Sequence, residues 1–234
     1  MTSVLPFTYG CRARIINDGT IRRAAGLCAL VWLALILSVW PAAANDKPVI
    51  VAFGDSLSAG FGLDEADAFP VRLETALRAG GIDATVVNSG VSGDTTAGGR
   101  ARLDWSLPEA VDLVIVELGA NDGLRGIDPA ETEANLDAIL RALKDRETAV
   151  LFTGMLAPPN LGREYADAFD AVFPRLAACH DVPFYPFFLE GVVAEPALNQ
   201  SDGIHPNAAG VARIVNGILP FVRRALAAGA RKAG

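Results

Sequence analysis

Short apolar runs alternate with longer amphipathic ones along most of this chain. Val49-Ile-Val-Ala-Phe53, Ala84-Thr-Val-Val-Asn88, Asp112-Leu-Val-Ile-Val-Glu-Leu118, Thr148-Ala-Val-Leu-Phe-Thr153 and Pro183-Phe-Tyr185 are rich in β-branched and aromatic residues. They have the length of strands, not of helices. Helical periodicity follows each of them, near 67–79, 95–105, 131–144, 163–180 and 207–227. Continuous apolar strands separated by helices make βαβ units, whose sheet is parallel and covered on both faces. The pattern predicts an α/β domain, a three-layer α/β/α sandwich with about five parallel strands. No internal repeat, low-complexity tract or linker interrupts it, so residues 45–234 are expected to form a single domain.

The first 44 residues break this pattern. Gly26 to Trp40 is a continuous apolar run, Arg22 and Arg23 precede it, and Pro41-Ala42-Ala43-Ala44 follows it. A basic start, an apolar middle and small residues before the cut make a secretory signal peptide, with cleavage expected after Ala44. The alternative is an uncleaved anchor, because the uncharged stretch from Ala24 to Asn45 could just span a bilayer. Cys28 lies inside the apolar run without a small-residue triplet, which argues against a lipoprotein, and Arg22-Arg23 lack the flanks of a twin-arginine signal. A periplasmic or secreted bacterial protein is the expectation.

Cleavage there changes the charge and the cysteine count. The leader carries Arg12, Arg14, Arg22, Arg23 and Asp18, or +3, so the net charge of −7 becomes −7 − 3 = −10. So acidic a domain offers no electrostatic footprint for nucleic acid or an anionic membrane. Of the 3 cysteines Cys179 alone remains, so no internal disulfide can form. Its apolar, helix-like surroundings predict a buried structural cysteine.

In a doubly wound sheet the ligand site lies beyond the carboxyl ends of the strands. The loops leaving the first three strands are polar and glycine-bearing: Gly54-Asp55-Ser56-Leu57-Ser58, Ser89-Gly90-Val91-Ser92-Gly93-Asp94-Thr95-Thr96 and Gly119-Ala120-Asn121-Asp122-Gly123. Asp202-Gly203-Ile204-His205 stands before the last helix. A serine hydroxyl needs a base to become a nucleophile, and the base needs an orienting group. Asp202, three residues before His205 in a turn, can face Nδ1 and leave Nε2 for Ser56. Pro206 keeps His205 out of the following helix. The Ser56 N–H, the Gly93 N–H and the Asn121 amide are candidate donors to an oxyanion. Each feature has a plainer reading: Asp55 or Ser56 as a helix cap, the glycines and Asn121 as turn formers, Asp202 as a turn residue. The other histidine, His180, ends a helix, where the dipole accounts for it.

Taken together, Phe53-Gly-Asp-Ser-Leu-Ser58, Gly90-Val-Ser-Gly-Asp-Thr95, Gly119-Ala-Asn-Asp122 and Asp202-Gly-Ile-His-Pro206 resemble, in order, the four signature blocks of the SGNH hydrolases, or GDSL lipase-esterases. Val116-Glu-Leu-Gly-Ala-Asn-Asp-Gly-Leu-Arg-Gly126 is similar to the branch of bacterial periplasmic acyl-CoA thioesterases, arylesterases and lysophospholipases. The resemblance implies a flavodoxin-like hydrolase fold and a catalytic triad of Ser56, Asp202 and His205. It also implies an oxyanion hole of Ser56, Gly93 and Asn121, and ester or thioester hydrolysis through an acyl-serine. It implies a small-molecule acyl substrate, a monomer, and no metal or organic cofactor.

Three other functions compete with this reading. A metal-dependent phosphoesterase would draw on Asp55, Asp94, Asp122 and Asp202, but such centres usually use several histidines and the mature chain has two. A non-catalytic binding module would lack a triad member, and none is missing. A carbohydrate O-deacetylase could use the same triad and differs in its acyl pocket. Met155-Leu-Ala-Pro-Pro-Asn160 and Phe184-Tyr-Pro-Phe-Phe188 could form such a pocket for a fatty chain or belong to the core.

Overall fold

Strands β1 (Val49–Gly54), β2 (Thr85–Gly90), β3 (Leu113–Glu117), β4 (Ala149–Thr153) and β5 (Phe184–Tyr185) form one parallel sheet in the order β2-β1-β3-β4-β5. The structure is a computed structural model and describes residues 47–232; the expected leader lies outside the described residues. Every residue of β3 and all but the first of β1 are buried, which explains why both strands are apolar except for Glu117 at the end of β3. Edge strand β2 has only one residue buried, and it reads Thr-Val-Val-Asn-Ser-Gly.

The helices are α1 (Ser56–Ala59), α2 (Phe69–Ala79), α3 (Thr96–Ser106), α4 (Ala120–Arg125), α5 (Pro129–Asp145), α6 (Arg163–Asp170), α7 (Val172–His180) and α8 (Ala208–Lys232). On one face α2 packs against α8; on the other, α3 packs against α5 and α5 against α7. Right-handed crossovers force this division, because the chain steps one way from β1 to β2 and the other way from β2 through β5. The expected three-layer α/β/α fold is what forms. Phe53, Phe69, Phe152, Phe169, Phe173 and Phe188 fill the interior between the layers.

Two local expectations need correction. The helix expected over 163–180 is two helices that break at Ala171. Pro174, in the first turn of α7, has no N–H and its ring would clash with the Asp170 carbonyl of a continuous helix. Cys179 is exposed, not buried. The face that α7 turns inward is Val172, Phe173, Leu176 and Ala177, and Cys179 falls off that stripe. The aromatic stretch 184–188 contributes Tyr185 and Phe188 to the core, and Met155 is buried too, whereas Leu156 is exposed.

Candidate active site

The sheet order changes direction between β1 and β3, and the turns leaving those two strands meet there. Gly54 is paired in register with Glu117, so the chain leaves both strands at the same level. Ser56 opens α1 directly after β1. Asp55 caps that helix, accepting the Leu57 N–H at 3.0 Å through Oδ1. Its Oδ2 accepts the Asn121 side-chain amide at 3.1 Å. That bond occupies one of the two amide hydrogens of Asn121 and leaves the second available to another acceptor. Burial pushes the Asp55 carboxyl up to about 6, even though both donors favour its charged form.

Across from Ser56 lies the segment that precedes α8. Asn207 caps this helix by accepting the Ala209 and Gly210 N–H groups, and the antiparallel bridge between Asn199 and Pro206 holds the loop closed. Within the loop the Asp202 carboxylate accepts the backbone N–H groups of Ile204 and His205, at 2.9 and 3.0 Å, and faces His205 Nδ1 at 2.7 Å. Hydrogen bonds from His205, first its backbone N–H and then its ring, with the Ile204 N–H, lower the Asp202 carboxyl to about 2. An ionised carboxylate can only accept, so Nδ1 carries the proton. In the neutral ring Nε2 is then a free acceptor, and it stands 2.9 Å from Ser56 Oγ. A carboxylate, an imidazole and a hydroxyl thus form one hydrogen-bonded chain across 149 residues of sequence.

Gly93, in the loop that leaves β2 beside β1, has φ at +81°, a conformation that favours glycine. Its carbonyl accepts a hydrogen bond from Arg125 Nη2 at 2.7 Å, which ties the loop after β2 to the end of α4. The Phe61 ring lies 4.6 Å from the His205 ring, centre to centre, and is about half exposed (49%). Gln200 holds it in place by donating to the Phe61 and Pro206 carbonyls. Phe61, Val91, Leu156 and Ile204, on loops, and Leu124, on α4, are exposed apolar side chains in segments that follow the strands. By contrast, a concavity of about 830 Å³ at the opposite edge is lined by residues that lead into the strands, among them Pro48, Asp112, Thr148 and Pro183, and by His180.

Several residues that build this site were not singled out from the sequence. Arg102, on α3, donates Nε to Asp94 at 2.6 Å, Nη1 to the Ser89 carbonyl at 2.9 Å and Nη2 to the Gly54 carbonyl at 2.8 Å. Its guanidinium also lies 4.2 Å above the centre of the Phe53 ring. It therefore fastens the ends of β1 and β2 to the loop that carries Gly93. Replacing Arg102 with methionine leaves the carboxylate of Asp94, whose side chain is 12% exposed, without its partner. Unfolding in urea should show a loss of about 3–5 kcal/mol, the usual cost of breaking a buried pair. Lysine should rescue little, because one ammonium cannot reach acceptors arranged for a planar fork.

The aspartates that a metal-dependent phosphoesterase would use are likewise engaged with protein donors. Asp122 is buried, and its carboxylate accepts the Thr96 N–H at 2.8 Å and the Thr96 and Thr132 hydroxyls. Asp94 faces Arg102, Asp55 faces Leu57 and Asn121, and Asp202 faces His205. Among the described residues these carboxylates do not converge with other ligating groups on one point.

Comparison with known proteins agrees with this architecture. The GDSL-like Lipase/Acylhydrolase family matches residues 52–213. Esterase TesA of Pseudomonas aeruginosa is 41% identical over 192 residues, covering 82% of this chain and 94% of that protein. Thioesterase 1/protease 1/lysophospholipase L1 of Escherichia coli K12 is 43% identical over 179 residues, covering 76% and 84%. The crystal structure of AlinE4, an SGNH-hydrolase family esterase, superposes with a TM-score of 0.65 at 49% identity, covering 77% of this chain and 97% of that one. The chain belongs to the GDSL-like lipase/acylhydrolase family and is a serine ester hydrolase.

Proposed function

We propose that Ser56, His205 and Asp202 are the catalytic triad of this hydrolase and that the Ser56 N–H, the Gly93 N–H and the Asn121 amide receive the oxyanion. The observation that carries the reading is the unbroken chain from Asp202 through His205 to Ser56, at 2.7 and 2.9 Å. Ser56 Oγ attacks the acyl carbonyl while its proton passes to His205 Nε2, and the carbonyl electrons move to the oxyanion. Collapse of that intermediate expels the alcohol or thiol, which takes the proton from His205. Water then attacks the acyl-serine with His205 again accepting the proton, and Ser56 is regenerated as the acid leaves. Asp202 keeps the proton on Nδ1 and stabilises the imidazolium.

The exposed apolar side chains around the site support substrates with an apolar acyl or leaving group. A panel of p-nitrophenyl esters of rising chain length, with acyl-CoA thioesters beside it, tests this in the presence of excess chelator. Turnover should persist under chelation and should rise beyond the acetyl ester. Activity confined to acetyl groups would favour a deacetylase, and activity abolished by chelation would overturn a cofactor-free mechanism.

The acidic mature chain supports a protein that acts on small molecules, as a monomer, without nucleic acid or an anionic membrane as partner. Among the described residues no helix is long and apolar enough to cross a membrane. The apolar run at residues 26–40 and the alanines before Asn45 support export. N-terminal sequencing of the exported protein should read from Asn45. A chain that still begins near Met1 and sediments with membranes would show a retained anchor.

A further inference from the structure

Glu117 ends β3 with its side chain fully buried (0% exposed), at a point where every other residue of the strand is apolar. It is an expensive residue to place there. Its carboxyl lies beneath the turn after β1, where Oε2 accepts the Ser58 hydroxyl at 2.8 Å and the Asp55 N–H at 3.3 Å. Those two donors stand one residue before Ser56 and two residues after it. Gly54 leaves the space that this carboxyl occupies, since a Cβ on Gly54 would collide with both Glu117 Oε2 and the Ser58 hydroxyl. Four residues further along the same segment, Asn121 reaches back to the Asp55 carboxylate. The β3–α4 segment therefore holds the turn of Ser56 at two points, one below it and one beside it.

We propose that Glu117 is a positioning residue for acyl transfer: by gripping the turn on both sides of Ser56, it sets the distance between the serine hydroxyl and the Asn121 amide. The inference rests on the reading of Ser56 as the nucleophile and Asn121 as an oxyanion donor. Neither donor to Glu117 requires a charged acceptor, and Oε1 has no hydrogen-bond partner among the described residues. A neutral carboxylic acid suits that environment better than an anion. Burial, and then the charge of Asp55, hold its proton on well above the ordinary carboxylate range. A neutral acceptor of the same shape should therefore serve equally well.

The test compares Glu117→Gln, Glu117→Leu and Ser58→Ala with wild type. The measurement is kcat and KM on one p-nitrophenyl ester, with kcat expressed per site labelled by a fluorophosphonate probe. A purely structural residue lowers the labelled fraction; a positioning residue lowers the turnover of each labelled site. Glu117→Gln keeps a carbonyl acceptor and should retain kcat within about threefold. Glu117→Leu should lose about ten- to a hundredfold in kcat per labelled site, with KM changed less than about threefold, as expected when reacting groups are misplaced. Ser58→Ala cuts one of the two contacts with little change in volume and should lose about three- to tenfold. If Glu117→Leu does not fold, the other two variants decide. The proposal is overturned if Ser58→Ala or a folded Glu117→Leu keeps kcat per labelled site within twofold, or if Glu117→Gln falls as far as Glu117→Leu or Ser58→Ala. A parallel Ser56→Ala sample separates the two levels. If that sample stays active, the reading of the site itself fails; if it is inactive while the Glu117 series is flat, only the positioning role fails.

Discussion

Ser56→Ala should reduce ester hydrolysis by at least about 10⁴-fold while the protein still unfolds cooperatively near the wild-type temperature. The activity loss follows from chemistry: without Oγ no acyl-serine can form, and the imidazole at 2.9 Å has no hydroxyl to deprotonate. The small stability change follows from the site's structure. Ser56 is 8% exposed, and the change removes only the hydroxyl oxygen and leaves a methyl group. Asp55, Leu57 and Ser58 keep their own hydrogen bonds, so the turn should hold its shape. Steady-state hydrolysis of a p-nitrophenyl ester and a thermal melt on the same preparation check both halves. Turnover within tenfold of wild type would remove Ser56 from the role of nucleophile.

Ser56, Gly93, Asn121, Asp202 and His205 could be proposed from the sequence because each falls in a polar, glycine-bearing stretch that follows an apolar strand or precedes the last helix. Such loops stand out when the strands around them are uniformly apolar. Glu117 was hidden for the opposite reason. It sits inside a buried strand, and its value comes from Gly54 and Ser58, some 60 residues away in sequence. Arg102 was equally silent: nothing in Thr-Ala-Gly-Gly-Arg-Ala-Arg-Leu announces that one arginine turns inward to three partners, on β1, on β2 and in the loop after β2. The plainer reading of Asp55 or Ser56 as a helix cap holds for Asp55, and its second oxygen also holds Asn121. The break before α7 was readable, since Pro174 cannot sit in the middle of a helix, but the periodicity over 163–180 masked it. Cys179 shows the limit of composition: a cysteine's preference for burial gives way to its place on the helix.

The two histidines provide the sharpest test of the assigned roles, because they sit at opposite ends of the sheet with similar partners. His205 Nδ1 faces Asp202 at 2.7 Å, and His180 Nε2 faces Asp137 at 2.8 Å. An imidazole beside a carboxylate is thus not distinctive by itself; only His205 of the two has a serine hydroxyl on its other nitrogen. His205→Ala should lower kcat/KM by several orders of magnitude, because activation of the nucleophile and protonation of the leaving group are lost together. Asp202→Asn should lose comparably or less. Its amide cannot stabilise the imidazolium, and an NH₂ group facing Nδ1 favours the tautomer whose proton sits on Nε2, pointed at the serine. His180→Ala should leave kcat/KM within a few-fold of wild type, since α7 ends at the edge of the sheet away from Ser56. Its cost should appear in stability instead, at about 0.5–1.5 kcal/mol for the lost hydrogen bond to Asp137. Rates and denaturation curves for the three variants check the comparison. If removing His180 silences the enzyme while removing His205 does not, the base is the wrong histidine and the proton path must run through Asp137.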